Sequence, residues 1–238
     1  MEELEKIQKR IVQGMCEMRI STPYHGLLAE LGIWPVKKLI QYKQIMLLHN
    51  IITSEEGRLI KEIIEDQILH PWEGCWYEGV EETCREYEVR VEEIRTWSKY
   101  KCKKEIRRRI ERKMQDEFEE RKVEMTKLRF IENVERKKYI EELEYNESIT
   151  LLKLRLNMLE TKCNYKGNYK ESQKCHFCND DDTTEHLLEC PEFEYSRQGI
   201  KNEDLDIHNP GEILAKYVRQ IVKLREEKGF EMKFGKDE

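Results

Sequence analysis

Residues 174–193, "KCHFCNDDDTTEHLLECPEF", constrain this chain more than any other stretch. Cys175 and Cys178 stand two residues apart, and His186 and Cys190 follow, four apart. Two cysteines at this spacing can turn their sulfurs to one point, and residues four apart share one helix face. A tetrahedral zinc ion takes four such ligands, with thiolates at about 2.3 Å and imidazole nitrogen at about 2.0–2.1 Å. The spacing therefore predicts a loop and a short helix closed around one zinc ion by Cys175, Cys178, His186 and Cys190. Thr183 or Thr184 is the expected helix cap, and Pro191 ends the helix. Leu187, Leu188 and Phe193 are placed to cover or anchor the unit. Four protein ligands leave no open position for water, so the expected ion is structural. The competing reading is that these are free buried thiols, since cysteine is a common small core residue. His176 lies between the first two cysteines and is expected to point outward. Cys16, Cys75, Cys84, Cys102 and Cys163 lack paired spacing and read as ordinary thiols.

Composition sets what surrounds this unit. Of 238 residues, 39% are charged and 38% hydrophobic, against typical values of about 25% and 45–50%. Long, exposed, largely helical surfaces follow. The net charge of −6 is unevenly placed: Lys99 to Lys138 holds sixteen basic against nine acidic residues, a net of +7, leaving −13 elsewhere. No secretory signal pattern and no apolar run near the ~20 residues of a membrane span is visible. An intracellular, reducing location, nuclear or cytoplasmic, is expected, where clustered cysteines bind metal more often than they form disulfides.

Periodicity predicts a mainly α protein, a helical bundle with long charged helices and a small Cys-Cys-His-Cys zinc unit. Four segments are expected: an N-terminal helical bundle over 1–69, a long charged helical region over 81–160, the zinc unit over 174–195 and an amphipathic helix over 209–227. In the first, Leu4, Ile7, Ile11 and Met15 form a helical stripe. "STPYHGLLAELGIWP" offers Thr22 as cap, Pro23 at the first helical position and Gly32 just past the end. Pro35 opens the next helix, and Thr53 or Ser54 caps the one after it. "HPWEGCWYEGV", 70–80, reads as a packed turn and an internal boundary. Beyond it one or two long helices carry Ile106, Ile110, Met114 and Phe118 four apart. "SITLLKLRLNML" is apolar on two faces and is either a helix after Ser148 or a strand. "TKCNYKGNYKESQK" reads as a loop. In the last segment Asn209 is the expected cap, with Pro210 in the first turn and Glu212 completing a capping box, and with Leu214, Tyr217, Val218, Ile221 and Val222 as the stripe.

"CHFCNDDDTTEHLLECPEF" is similar to the zinc-knuckle-like ending of non-LTR retrotransposon reverse transcriptases. "STPYHGLLAELGIWPVKKLIQYKQIMLLHNII" resembles the helical thumb-side region that follows their polymerase core, and "LLKLRLNMLETKCNYKGNYK" has the same character. The carboxylate pair that holds catalytic magnesium in that family has no counterpart here, nor does an endonuclease module. The resemblance therefore implies a fragment or remnant without polymerase activity, and RNA or DNA binding as its role.

On the residues themselves, the phosphate-contacting candidates are Lys101, Lys103, Lys104, Arg107, Arg108, Arg109, Arg112 and Lys113, beside Tyr100. The alternative is a solvated helix face, since Glu105 and Glu111 interrupt them. The zinc unit itself is acidic, so base contact there would fall to Phe177, His176 or Tyr195. A second function class is a protein-interaction module in which zinc only staples a helical domain. No catalytic constellation of serine, cysteine or histidine is present, and neither a membrane nor a small-molecule substrate is expected.

Overall fold

A computed structural model describes residues 2–165 and 172–230. Among them there is no strand, only one antiparallel bridge between Lys174 and Asp181. The helices are α1 (Glu2–Met15), α2 (Tyr24–Leu31), α3 (Val36–Ile52), α4 (Leu59–Leu69), α5 (Trp76–Glu86), α6 (Val91–Thr96), α7 (Lys99–Glu124), α8 (Lys138–Glu142), α9 (Tyr145–Arg155), α10 (Thr184–Glu189), α11 (Glu194–Arg197) and α12 (Glu212–Glu227). The mainly helical fold with a small metal-type unit is as the periodicity and cysteine spacing predict.

The chain forms two compact units, one of residues 1–8 and 34–120, the other of 9–33 and 121–238. Each is discontinuous, so two of the expected segments, 1–69 and 81–160, are divided between the units, while 174–195 and 209–227 fall within the second. The turn at 70–80 lies inside the first unit rather than at a boundary, because α5 begins within it at Trp76 and packs on α3 and α4.

In the first unit Cys102, Ile106, Ile110, Met114 and Phe118 of α7 are all buried, the four-residue row read from sequence extended by one thiol. Each fully buried isoleucine contributes on the order of 1.5–3 kcal/mol. Lys38 is buried and donates to Glu86 Oε1 (3.0 Å) and Glu117 Oε1 (2.8 Å). Gln41 Nε2 donates to Glu86 Oε2 (2.6 Å), and the Tyr87 hydroxyl donates to Gln41 Oε1 (2.5 Å). This network ties α3 to α5 and α7 by charge.

In the second unit α9 packs on α12, and the ambiguous "SITLLKLRLNML" is helical through Arg155. Ser148 lies inside α9, where its hydroxyl donates to Tyr139 O (2.9 Å). A buried cluster closes the unit. Arg155 Nε and Nη2 donate to the two carboxylate oxygens of Glu30 (2.8 and 3.0 Å), Tyr139 donates to Glu30 Oε2 (2.5 Å), and Arg155 Nη1 reaches Ile207 O (2.5 Å). A Cβ at Gly26 would stand 2.5 Å from Leu128 Cδ2 and 2.7 Å from Leu156 Cδ2, so any larger residue would force those side chains to shift.

Several expected ends move. Gly32 closes α2 in the left-handed region (φ 61) as expected, but Pro23 holds the cap position and the buried Thr22 hydroxyl makes no side-chain cap. Thr53 closes α3 instead of opening α4, its hydroxyl bonded to His49 O (2.7 Å), and α4 starts only at Leu59. Gly211, not Asn209, precedes α12, and no side-chain cap forms there. Of these, Thr53 bonds back into the turn it follows, which competes with capping the next helix. The α1 stripe also differs: Leu4, Ile7, Ile11 and Met15 are exposed, while Val12 and Gln13 are buried. Gln13 Nε2 donates to Arg19 O and Ile20 O (3.1 and 3.2 Å), so hydrogen bonding sets which face of α1 turns inward.

Candidate metal centre

The loop before α10 folds on local signals. The Lys174–Asp181 bridge closes it, reinforced by Cys175 N to Asp180 O (2.6 Å) and by the Lys174–Asp181 ion pair (2.9 Å). Asn179 takes a left-handed φ of 69, a conformation asparagine tolerates better than most residues. Thr183 is the cap of α10, its hydroxyl accepting from His186 N (3.0 Å). His186 thus sits in the first turn and Cys190 directly after the last, on one face.

These elements bring Cys175, Cys178, His186 and Cys190 together with all four ligand atoms within 4.8 Å of one another, a group that could hold a metal ion. Cys178 Sγ lies 3.1 Å from His186 Nε2 and 3.8 Å from Cys190 Sγ. A tetrahedron with metal–sulfur bonds of about 2.3 Å has sulfur–sulfur edges of about 3.8 Å, so the spacing suits that donor set. Cys175 and Cys190 are buried and Cys178 and His186 half-buried. With the thiols protonated, burial pushes Cys190 up to about 12 and raises Cys178. A bound cation reverses that preference by replacing the proton. These three cysteines are clustered with His186. Cys16, Cys75, Cys84 and Cys102 are buried and outside the group, whereas Cys163 is half-buried.

The unit is embedded in its surroundings. Leu187, Leu188 and Phe193 are buried. Phe177 meets Phe193 edge-on at 5.4 Å, with Lys228 over both rings, while His176 and Tyr195 are exposed. Arg197 Nη1 donates to Leu188 O (3.1 Å) and Cys190 O (2.8 Å), and the Tyr217 hydroxyl donates to Leu188 O (2.9 Å). These bonds satisfy carbonyls that the end of α10 leaves open. Asp182 is wholly buried and pairs with buried Arg225 of α12 at 2.8 Å. The acidic composition of the unit does not set Asp182 apart from its neighbours, and neither Arg225 nor Arg197 stands in a sequence motif. The available signal was a charge on an apolar row, Leu214–Val218–Ile221–Arg225.

The basic candidates all lie on α7. Lys101, Lys103, Lys104, Arg107, Arg108 and Arg112 are exposed, and Arg109 and Lys113 are half-buried. Arg107 pairs with Glu111, Arg108 with Glu105 and Arg112 with Glu88, and Lys101 lies over the Trp97 ring. Arg109 donates to Tyr87 O and Glu88 O, which occupies it in holding the end of α5. Lys103 and Lys104 have no acidic partner among the described residues. No helix of the described residues is long and apolar enough to cross a membrane. No protein-family model, curated protein or solved structure matches the chain.

Proposed function

We propose that this chain is a non-catalytic nucleic-acid-binding module whose ligand loop is stapled by one structural Zn²⁺. Its resemblance to the end of retroelement reverse transcriptases supports a retroelement origin and an accessory role in reverse transcription, inside a cell. The donor chemistry supports zinc: three thiolates and one imidazole in four-coordinate spacing suit it above magnesium or calcium, which take oxygen. When bound, the ion supplies a fixed cross-link between the loop and α10, with no open position for substrate.

The observation that carries the binding reading is the charge order along α7. Residues 99–113 hold nine cations and two acids, whereas 114–124 hold five acids and two cations. No acid stands in the first turn, where acids would stabilise the helix by complementing its dipole. The cations and the positive end of the dipole therefore add, and a phosphate backbone is the partner that fits. Titration of single- and double-stranded RNA and DNA across salt tests this. Affinity should fall linearly in log–log salt, and Lys103→Ala and Lys104→Ala should each reduce the slope by about one. Binding that is absent at low salt, or indifferent to salt, overturns the reading.

A second reading, docking of a partner helix, is favoured by the exposed row Leu4, Ile7, Ile11 and Met15 on α1. A salt-insensitive association with a protein would support it instead.

A further inference from the structure

Asp182 occupies the midpoint between the two halves of the ligand set, four residues after Cys178 and four before His186. Every polar group of this residue but one oxygen is engaged. Its N–H donates to Gln173 O (2.9 Å), and its carbonyl accepts from Cys163 N (3.1 Å). Its Oδ2 accepts from Lys162 N (2.7 Å) and from Arg225 Nη2 (2.8 Å). One residue thus joins the segment entering the loop, the segment before it and helix α12.

The Asp182–Arg225 pair is poorly built if it serves stability alone. Asp182 Oδ1 and Arg225 Nε are both buried without a hydrogen-bond partner. Desolvating two charges and then leaving an oxygen and an N–H unmatched offsets much of their attraction, and apolar replacements of such pairs are often neutral or stabilising. The Glu30–Arg155 pair, by contrast, is bidentate and shares its carboxylate with Tyr139. A half-satisfied pair with its acid at the centre of a ligand loop has a better account as a positioning device. It holds the crossing between the Cys175–Cys178 turn and the His186–Cys190 helix from outside.

Resting on the zinc reading above, we infer that Asp182 and Arg225 are positioning residues for the metal, and that α12 is thereby coupled to metal occupancy. Arg225 lies thirty-five residues beyond the last ligand in sequence, yet it orients the loop that carries two of them. Groups that hydrogen-bond a ligand directly change metal affinity by about 10–100-fold when removed; Asp182 and Arg225 hold the loop backbone instead, so the lower end of that range is expected. Linkage makes the effect reciprocal: if α12 docking favours metal binding, metal binding favours α12 docking by the same factor.

The experiment uses the full chain, with Zn²⁺ affinity measured by chelator competition, Co²⁺ absorption as the report of ligand geometry, and hydrogen exchange along α12. Wild type, Asp182→Asn, Arg225→Met and Arg225→Lys are compared. We expect one metal per chain in wild type and about 10-fold weaker binding in Asp182→Asn and Arg225→Met. An altered Co²⁺ spectrum and partial recovery in Arg225→Lys are expected too. Chelation of wild type should speed exchange in α12 more than in α3. Variants that lose thermal stability but bind Zn²⁺ as tightly as wild type, with an unchanged Co²⁺ spectrum, overturn the inference. Wild type that takes up no metal overturns the zinc reading itself, a result separable by stoichiometry before any variant is compared.

Discussion

The second compact unit contains two closures of opposite construction. The ligand group spans sixteen residues, Cys175 to Cys190, and draws its partners from one loop and one short helix. The Glu30–Arg155 cluster joins residues 125 apart and draws in Tyr139 and Ile207 as well. The first is a local device whose geometry follows from turn and cap chemistry once a cation is present. The second exists only when helices distant in sequence have already met. A local closure can be read from spacing, while a long-range one shows in sequence only as a charge in an apolar setting.

Removing the metal is the strongest way to separate them. Structural zinc contributes about 10–16 kcal/mol in small zinc-finger peptides, so chelation, Cys178→Ser or His186→Ala should abolish metal uptake. Amide protection over residues 172–193 should fall far more than in α9, as read by hydrogen exchange. Equal loss in both regions would break the distinction between local and long-range closure.

Glu30→Gln strands a buried guanidinium, a change that costs about 3–5 kcal/mol. Urea unfolding should show this loss for the whole second unit, while the metal stoichiometry of the folded protein stays at one. A Thr183→Ala variant removes the α10 cap at a cost of about 1 kcal/mol, and it should weaken Zn²⁺ binding while leaving the exchange of α9 unchanged.

The smallest effect lies in the first unit. Burial disfavours an ionised Glu86, but hydrogen bonding to Lys38 and its charge outweigh this and hold the carboxyl below its ordinary range. For such a group the stabilisation is present above the unfolded carboxylate value of about 4.5 and is lost as pH falls through the lowered folded value. Unfolding of wild type across pH 3–6 should therefore show a destabilisation on acidification that is weaker in Lys38→Met. An unchanged pH slope would show that the network does not report on Glu86.

How much was legible follows the same division. The grouping of Cys175, Cys178, His186 and Cys190 and a cap at Thr183 or Thr184 were readable because ligand spacing and capping act over two to four residues, and the structure settles the cap on Thr183. The row Ile106, Ile110, Met114 and Phe118 was readable because periodicity alone puts it on one face. The side of α1 that turns inward was not, since Gln13 decides it by reaching carbonyls in the following turn. Nor were the starts of α4 and α12, where Thr53 and Asn209 fit the N-cap composition yet cap neither helix start. Arg109 looked like a phosphate contact until α5 ended within its reach.

By itself, then, the sequence determined the helical class, the Cys175–Cys178–His186–Cys190 group and the charge order of α7, because each depends on residues within a few turns of one another. Tertiary structure alone decided that the chain forms two discontinuous units, that Asp182 is buried rather than solvated, and that Arg225 and Arg155 are partners rather than surface charges. The physical reason is that a charge enters the interior only where an opposite charge arrives from another segment, and no local pattern says which segment that is.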